Sequence, residues 1–336
     1  MSISIIVCTR NRPEKLRRCL HALLRAELDC VLEIIVLDQS DQPLEWRGLD
    51  EPNLDHLRYV WQKGRGLAKA RNQALHLAKG DIISFTDDDC IVTPSWASSL
   101  QQSFQTHPEA DGVFGRVLPY IGRSDEVERH EFATPFGVIP YVTKPGPLFC
   151  GGLIDKPNRA SYNQPAMTIE QMGSGNNMSF RRTVFEQQGL FFRQLGAGSW
   201  LKSAEDTEFH YRLLRAHYTL MYDPDVVLYH NSWLTPAQNA ALQDGYTSGM
   251  LATFVFFALN ADPLARDYLR YRWSSVKQEI TVSSGSKSAR KPMSFYSRRA
   301  IAFLKGILGG VWLALFVRKP PQLAAKQKSD PIYDVL

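Results

Sequence analysis

The strongest constraint on this chain is a repeated alternation at its N-terminus, in which apolar runs end in polar residues and helix-periodic segments follow. Ile3 to Val7 is continuously apolar apart from Ser4, and the run closes at Thr9. Continuous rather than alternating apolarity is the mark of a strand covered on both faces in a parallel sheet. Pro13 follows Asn11 and Arg12 at a first helical position, and Leu16, Cys19, Leu20, Leu23 and Leu24 then recur at helical spacing. A second run, Leu32 to Leu37, stops at Asp38. A third, Leu57 to Trp61, leads to a helix with Leu67, Ala70, Ala74 and Leu77 inward, and a fourth, Asp81 to Thr86, empties into Asp87, Asp88 and Asp89. Such an order predicts right-handed crossovers, a parallel sheet, and a ligand site at the carboxyl ends of its strands.

The rest of the chain is less regular. From Tyr120 to Gln164 it is rich in Pro and Gly and too long for a plain connection, which predicts a functional loop or lid. Periodicity resumes at Asn177 to Phe180, continues in a helix from Glu205 to Ala216, and ends in a strand from Val226 to Tyr229. Beyond Ser232 come helical segments, the polar run SSGSKSARK and an apolar stretch from Ala300 to Val317. With 44% hydrophobic and 22% charged residues the chain has enough apolar matter for a core and too little for a polytopic membrane protein. Its five cysteines show no C-x-x-C spacing, which argues against a disulfide framework or zinc ribbon and for a reducing compartment. No secretion signal is read at the N-terminus, so a cytoplasmic location is expected. From Pro263 onward there are 14 Lys and Arg against 4 Asp and Glu. That basic tail suits an anionic membrane surface, since no nucleic-acid module accompanies it and no nucleic-acid partner is expected.

The polar residues at the strand ends carry the chemistry. Three adjacent carboxylates at the mouth of a buried strand repel one another unless a cation neutralises them, and oxygen ligands suit Mg²⁺ or Mn²⁺ shared with substrate phosphates. The same triplet also reads as a solvated acidic turn. Asp38 reads as a turn or N-cap residue, Arg71 as a surface helix arginine, Glu205 and Asp206 as the acidic first turn of a helix, and His230 as a strand-end histidine. The glycines of GSGNN lack the spacing of a dinucleotide fingerprint.

Taken in order, the stretches SIIVCTRNRPEKLRRCL, IIVLDQSD, GLAKARNQAL, AKGDIISFTDDDCIVTPSW, GSGNNMSFRR, AEDTEFHYRLLRA and YDPDVVLYH resemble the family 2 glycosyltransferases, inverting enzymes of the GT-A fold. The resemblance spans about residues 3 to 231. It implies an α/β protein with a Rossmann-like, mixed but mainly parallel sheet: a nucleotide-sugar-binding half at 1–115, an acceptor-binding and catalytic half at 116–235, and a basic helical extension at 236–336. Thr9, Asp38, Arg71, Asp87 and Asp88 fall where the family contacts the nucleotide-sugar. Asp87 and Asp89 resemble the D-x-D pair and, with His230, the metal-binding positions for Mn²⁺ or Mg²⁺. Asp206 resembles the general base, and Glu205 its neighbour in the acceptor pocket.

The expectation is a metal-dependent inverting transfer from a UDP- or dTDP-sugar to a hydroxyl of a glycan or lipid-linked saccharide. Two rivals share the architecture: a catalytically silent glycan-binding or scaffold protein, and a sugar-phosphate nucleotidyltransferase, whose Gly-rich N-terminal loop with a basic residue is not found here. For Ala300 to Val317 three outcomes are open: association with one anionic leaflet at the cytoplasmic face of a membrane, a true span, or burial against the catalytic core.

Overall fold

The computed structural model describes residues 1–45, 51–120, 146–149, 173–231, 234–285, 293–323 and 333–334. The N-terminal alternation folds as its periodicity demands: β1 (Ile3–Thr9), α1 (Pro13–Leu24), β2 (Val31–Asp38), β3 (Leu57–Trp61), α2 (Leu67–Leu77) and β4 (Ile82–Asp87). Short β5 (Cys90–Val92), α3 (Trp96–Thr106) and β6 (Gly112–Pro119) follow, then β7 (Gly146–Phe149), β8 (Met178–Arg181), α4 (Arg182–Gln188), α5 (Glu205–Arg215) and β9 (Leu220–His230). Three long helices, α6 (Pro236–Leu259), α7 (Pro263–Gly285) and α8 (Met293–Trp312), and the two-residue β10 (Tyr333–Asp334) complete the described chain. The loop or lid expected from Tyr120 to Gln164 lies outside the described residues, apart from Tyr120 itself and the segment that forms β7.

All ten strands join one mixed, mainly parallel sheet in the order β10-β3-β2-β1-β4-β8-β6-β9-β5, with β7 beside β9. β1 pairs in parallel with β2 and β4, and β2 with β3, so the crossover helices lie on the faces. β8 runs antiparallel between β4 and β6 and stitches the N-terminal strands to the rest. On one face α1 and α3 supply Leu16, Leu20, Trp96, Leu100 and Phe104 to a core with Ile5, Val7 and Val36. On the other, Ala70, Ala74, Phe185, Phe209, Phe254 and Tyr268 close over Ile6, Ile35 and Phe85. Within that second core Phe185 and Phe209 stack with ring centroids 4.9 Å apart.

β9 is longer than the strand expected at Val226 to Tyr229, because it begins at Leu220 and carries Asp223-Pro224-Asp225 through the sheet. The register against β6 shifts between Gly115 and Arg116, opposite that acidic stretch. A proline, lacking a ladder N–H, is accommodated where the ladder is already interrupted.

Candidate active site

The register of the parallel strands sets the floor of the site. Thr9 faces Asp38 across β1 and β2, and Cys8 faces Asp87 across β1 and β4, so the chemistry-bearing strand ends form one row. Asp38 is buried; its Oδ1 accepts the Ser40 N–H at 2.7 Å and its Oδ2 accepts the Tyr59 hydroxyl at 2.6 Å. Thr9 donates its hydroxyl to Asp88 Oδ2 at 2.6 Å.

Arg71 is no surface arginine. It is 2% exposed, lies between the rings of Phe85 and Phe191 at 5.6 and 5.7 Å, and donates to Glu205 Oε1 at 3.0 Å, Gly175 O at 2.9 Å and Asp87 Oδ1 at 3.2 Å. Burial opposes its charge, yet Asp87 and Glu205 outweigh it and hold the guanidinium above its ordinary range. One cation thus joins the end of β4, the glycine-containing turn before β8 and the start of α5.

The three aspartates do different things. Asp87 lines the cavity; burial raises its carboxyl, with Arg71 pulling the other way. Asp88 is fully buried and turned toward Thr9 and Arg12, and burial pushes it up to about 7 despite the Arg12 guanidinium. Asp89 accepts from Arg12 and from Lys15, each at 3.0 Å, while its Oδ1 lies 3.3 Å from His230 Nε2. Burial alone would raise Asp89, but His230, Arg12 and Lys15 more than offset that and hold it below the ordinary carboxylate range.

The metal expectation can be tested on these donors. Ligand atoms of Asp89, Cys90 and His230 all lie within 4.8 Å of one another. The Cys90 thiol is fully buried, and sulfur is a soft donor that suits zinc or copper better than the hard cations Mg²⁺ and Mn²⁺. A carboxylate and an imidazole remain, beside Asp87 and an open cavity, and they suit a divalent cation such as Mn²⁺ that completes its shell with phosphate oxygens. The donors fit. In the structure Arg12 and Lys15 supply the positive charge around Asp89.

Glu205 and Asp206 open α5 after an unusual turn. Lys202 and Ala204 both have left-handed backbone, at φ 68° and 70°, a conformation non-glycine residues adopt at a cost of order 1–3 kcal/mol when the surroundings enforce it. The surroundings here are the bonds from Gly196 N–H to Ser203 O and from Leu67 N–H to Ala197 O. Glu205 is buried against Arg71, and burial together with Asp206 raises its carboxyl. Asp206 Oδ1 accepts the Thr207 N–H at 2.7 Å. A Cβ added at Gly175 would collide with Asp206 Oδ2, so a larger residue here would push the Asp206 carboxylate out of its place.

These groups face one cavity of about 620 Å³, whose lining includes Asp87, Glu205, Asp206 and His230 together with Lys202, Tyr246, Arg272 and Arg299. Arg71, Asp87, Glu205, Asp206 and His230 are therefore brought together, with Asp89 bonded behind His230. Asp38 and Thr9 stand along the same strand-end row, and Asp88 points away from the cavity into the protein. Sequence reasoning missed Arg12 and Lys15, although both follow the first strand in TRNRPEK. It also missed His210, one helical turn after Asp206, whose buried ring meets Phe114 edge-on at 4.6 Å.

Comparison with known proteins bears on this arrangement. Residues 4–189 match the model of glycosyl transferase family 2. The glucosyl-dolichyl phosphate glucuronosyltransferase of Haloferax volcanii is 26% identical over 200 residues, covering 58% of this chain and 58% of that protein. The hyaluronan synthase of Pasteurella multocida is 37% identical over 226 residues, 64% of this chain and 23% of that protein. The chain thus spans only part of the length of these relatives. Among solved structures, S. aureus TarS in complex with UDP-GlcNAc superposes with a TM-score of 0.55 at 17% identity, covering 91% of this chain and 82% of that one. The Pyrobaculum calidifontis mannosyltransferase PcManGT, in complex with GDP-Man and Mn²⁺, superposes with a TM-score of 0.51 at 15% identity, covering 94% and 88%. Both share the fold described above. With more than half its length matched by the family model, and with these relatives, the chain belongs to glycosyl transferase family 2.

Proposed function

We propose that the chain is a metal-dependent inverting glycosyltransferase that moves a sugar from a UDP- or dTDP-sugar to a hydroxyl of a glycan or lipid-linked saccharide, at the cytoplasmic face of a membrane. The observation that carries this reading is the meeting of Asp206 with Asp87, the carboxylate that ends β4, and His230 in one cavity. The names of the relatives support it: one acts on a glucosyl-dolichyl phosphate, one makes hyaluronan, and TarS was captured with UDP-GlcNAc.

In this reading the nucleotide lies along the strand-end row, with Asp38 accepting from the base and Thr9 and Arg71 ordering the pocket around it. Asp87, Asp89 and His230 would hold the divalent cation, which when bound stabilises negative charge on the departing diphosphate. Asp206 takes the proton of the acceptor hydroxyl as its oxygen bonds to the anomeric carbon and the bond to the diphosphate breaks. One displacement inverts the configuration, and no second carboxylate is needed as a nucleophile. The thermal shift of the full chain with a nucleotide panel, with and without Mn²⁺, tests the donor half of this reading; UDP or dTDP with metal should give the largest shift. The base is tested by Asp206→Asn, expected to lower kcat by roughly 10² or more at nearly unchanged donor affinity. A largest shift with NAD and no metal effect would overturn the donor assignment, and near-normal turnover in Asp206→Asn would overturn the base.

A further inference from the structure

The stretch Tyr296–Val317 is 22 residues long and apolar enough to cross a bilayer, yet Ala302, Gly306, Gly309, Gly310 and Leu313 within it are buried. Its two faces differ. Gly306 and Gly310 press on α6 so closely that a Cβ on either would strike Ser248, Leu251, Ala252 or Val255, and a Cβ on Gly309 would strike Leu201. Leu313 joins Phe192, Leu195, Leu201, Ala252 and Phe256 in a small core on that side. The opposite face carries Ile301, Leu304, Leu308 and Trp312 and, in the π-helical turn Leu313–Val317 that continues α8, Leu315 and Phe316, all exposed, with Leu308 at 56% and Phe316 at 71%. Their spacing of three and four residues makes one continuous apolar stripe turned to solvent. Trp200, also exposed, meets Trp312 edge-on at 6.0 Å and extends it.

We infer that this stripe of α8 lies in the plane of an anionic membrane leaflet, with Trp200 and Trp312 at the headgroup level, and that it presents the mouth of the catalytic cavity to that leaflet. Charge selects the occupant. Arg298 and Arg299 precede the stripe, Lys305 sits within it, and Arg318 and Lys319 follow it, inside a segment with 14 basic and 4 acidic residues. Arg298 is tied to Asp244 and Arg299 donates to Thr247, while Lys305, Arg318 and Lys319 stand within or just after the apolar residues, as anionic headgroups require. A second copy suits the stripe poorly, because parallel and antiparallel pairing of two α8 helices both set positive ends against positive ends. A span is also disfavoured: leaving α6 would strip cover from the glycine seam and from Leu201, Ala252 and Phe256. The link to the site is direct, since Arg299 lies on α8 two residues before Ile301 and Lys202 follows Trp200 by two residues, and both line the cavity.

This placement deepens the proposed function by favouring a lipid-linked acceptor, and it rests on that reading only for the acceptor. The test uses the full chain and sedimentation with phosphatidylcholine vesicles, with and without phosphatidylglycerol. The wild type should bind the anionic vesicles, and Leu304→Glu/Leu308→Glu, which alters only exposed positions, should bind at least roughly tenfold more weakly. Lipids brominated near the headgroup should quench the fluorescence lost in Trp312→Phe more strongly than lipids brominated at the chain end. Wild-type protein left in the supernatant, equal binding by the double variant, quenching mainly from the chain end, or a loss of dimer as the chief effect of the double variant would each overturn the inference. The nucleotide-induced thermal shift, measured on the same samples, separates the two readings: its absence in wild type breaks the donor assignment while leaving the vesicle result standing.

Discussion

Replacing Arg71 by Met removes the charge while keeping a long apolar stem between Phe85 and Phe191. Three acceptors then lose a donor: Glu205, the Gly175 carbonyl and Asp87. Glu205 is 5% exposed and loses its compensating cation. Breaking a buried pair by deleting one partner costs about 3–5 kcal/mol, because the other charge is left in a poor solvent for ions. The cost should depend on pH in a defined direction. Burial and Asp206 already raise the Glu205 carboxyl in the folded state, and loss of Arg71 raises it further. The folded variant then holds a proton that the unfolded chain releases, so its stability falls as pH rises, at up to about 1.4 kcal/mol per pH unit for one proton. Urea unfolding followed by tryptophan fluorescence at pH 6 and pH 8 should show the larger loss at pH 8. In Arg71→Met/Glu205→Gln the pH difference should collapse and about 1–3 kcal/mol should return, the usual size of coupling between contacting residues. A loss below about 1 kcal/mol at pH 8, or strict additivity of the two substitutions, would refute the assignment of Arg71 as the buried counter-charge.

Asp89→Ala should abolish the Mn²⁺-dependent part of nucleotide binding in calorimetry. Asp88→Ala, which touches Thr9 and Arg12 and lies off the cavity, should retain most of it; equal binding by both variants and the wild type would refute the ligand set. His210 is buried and its imidazole is lowered to about 4, so it contributes stability that is complete above the ordinary value near 6.5 and is lost as pH falls through 6.5 toward 4. His210→Phe should flatten that acid limb of the stability curve, removing up to about 3 kcal/mol of pH dependence. An unchanged slope between pH 6.5 and 4 would show that another group carries it.

Much of the fold was legible because the first four strands end abruptly in polar residues and their helices keep a 3.6-residue period. Leu16, Cys19, Leu20, Leu23 and Leu24 are the buried stripe of α1, as their spacing required. The later strands were harder. Asp223-Pro224-Asp225 interrupts the apolar run of β9, and only the three-dimensional pairing with β6 shows that the strand continues through it. The strand-end residues were legible as a set, but their division of labour was not. Asp87 closes β4 and faces the cavity, whereas Asp88 lies in the turn between β4 and β5, where no strand period tells which way a side chain points. Arg12 read as a helix-start residue; its guanidinium reaches Asp88 and Asp89, some 76 residues away in sequence, and no local pattern announces such a bond. Arg71 read as exposed because charged residues on a helix usually are, and it is Asp87, Glu205 and Gly175, none of them its helix neighbours, that offset its burial.

The position of β8 has a consequence for how the protein is made. β4 is complete at Asp87, but the strand that pairs with its outer edge ends at Arg181, 94 residues later. At synthesis rates of about 5–20 residues per second, the ribosome needs roughly 5–19 s to deliver that partner. Throughout this interval the nascent chain carries an apolar strand, Ile82–Asp87, with one row of backbone groups unpaired and open to a neighbouring chain. Recombinant yield should therefore respond to chaperones that shield early-emerging sheet edges, and fragments ending before Met178 should aggregate even though every residue of the first four strands is present.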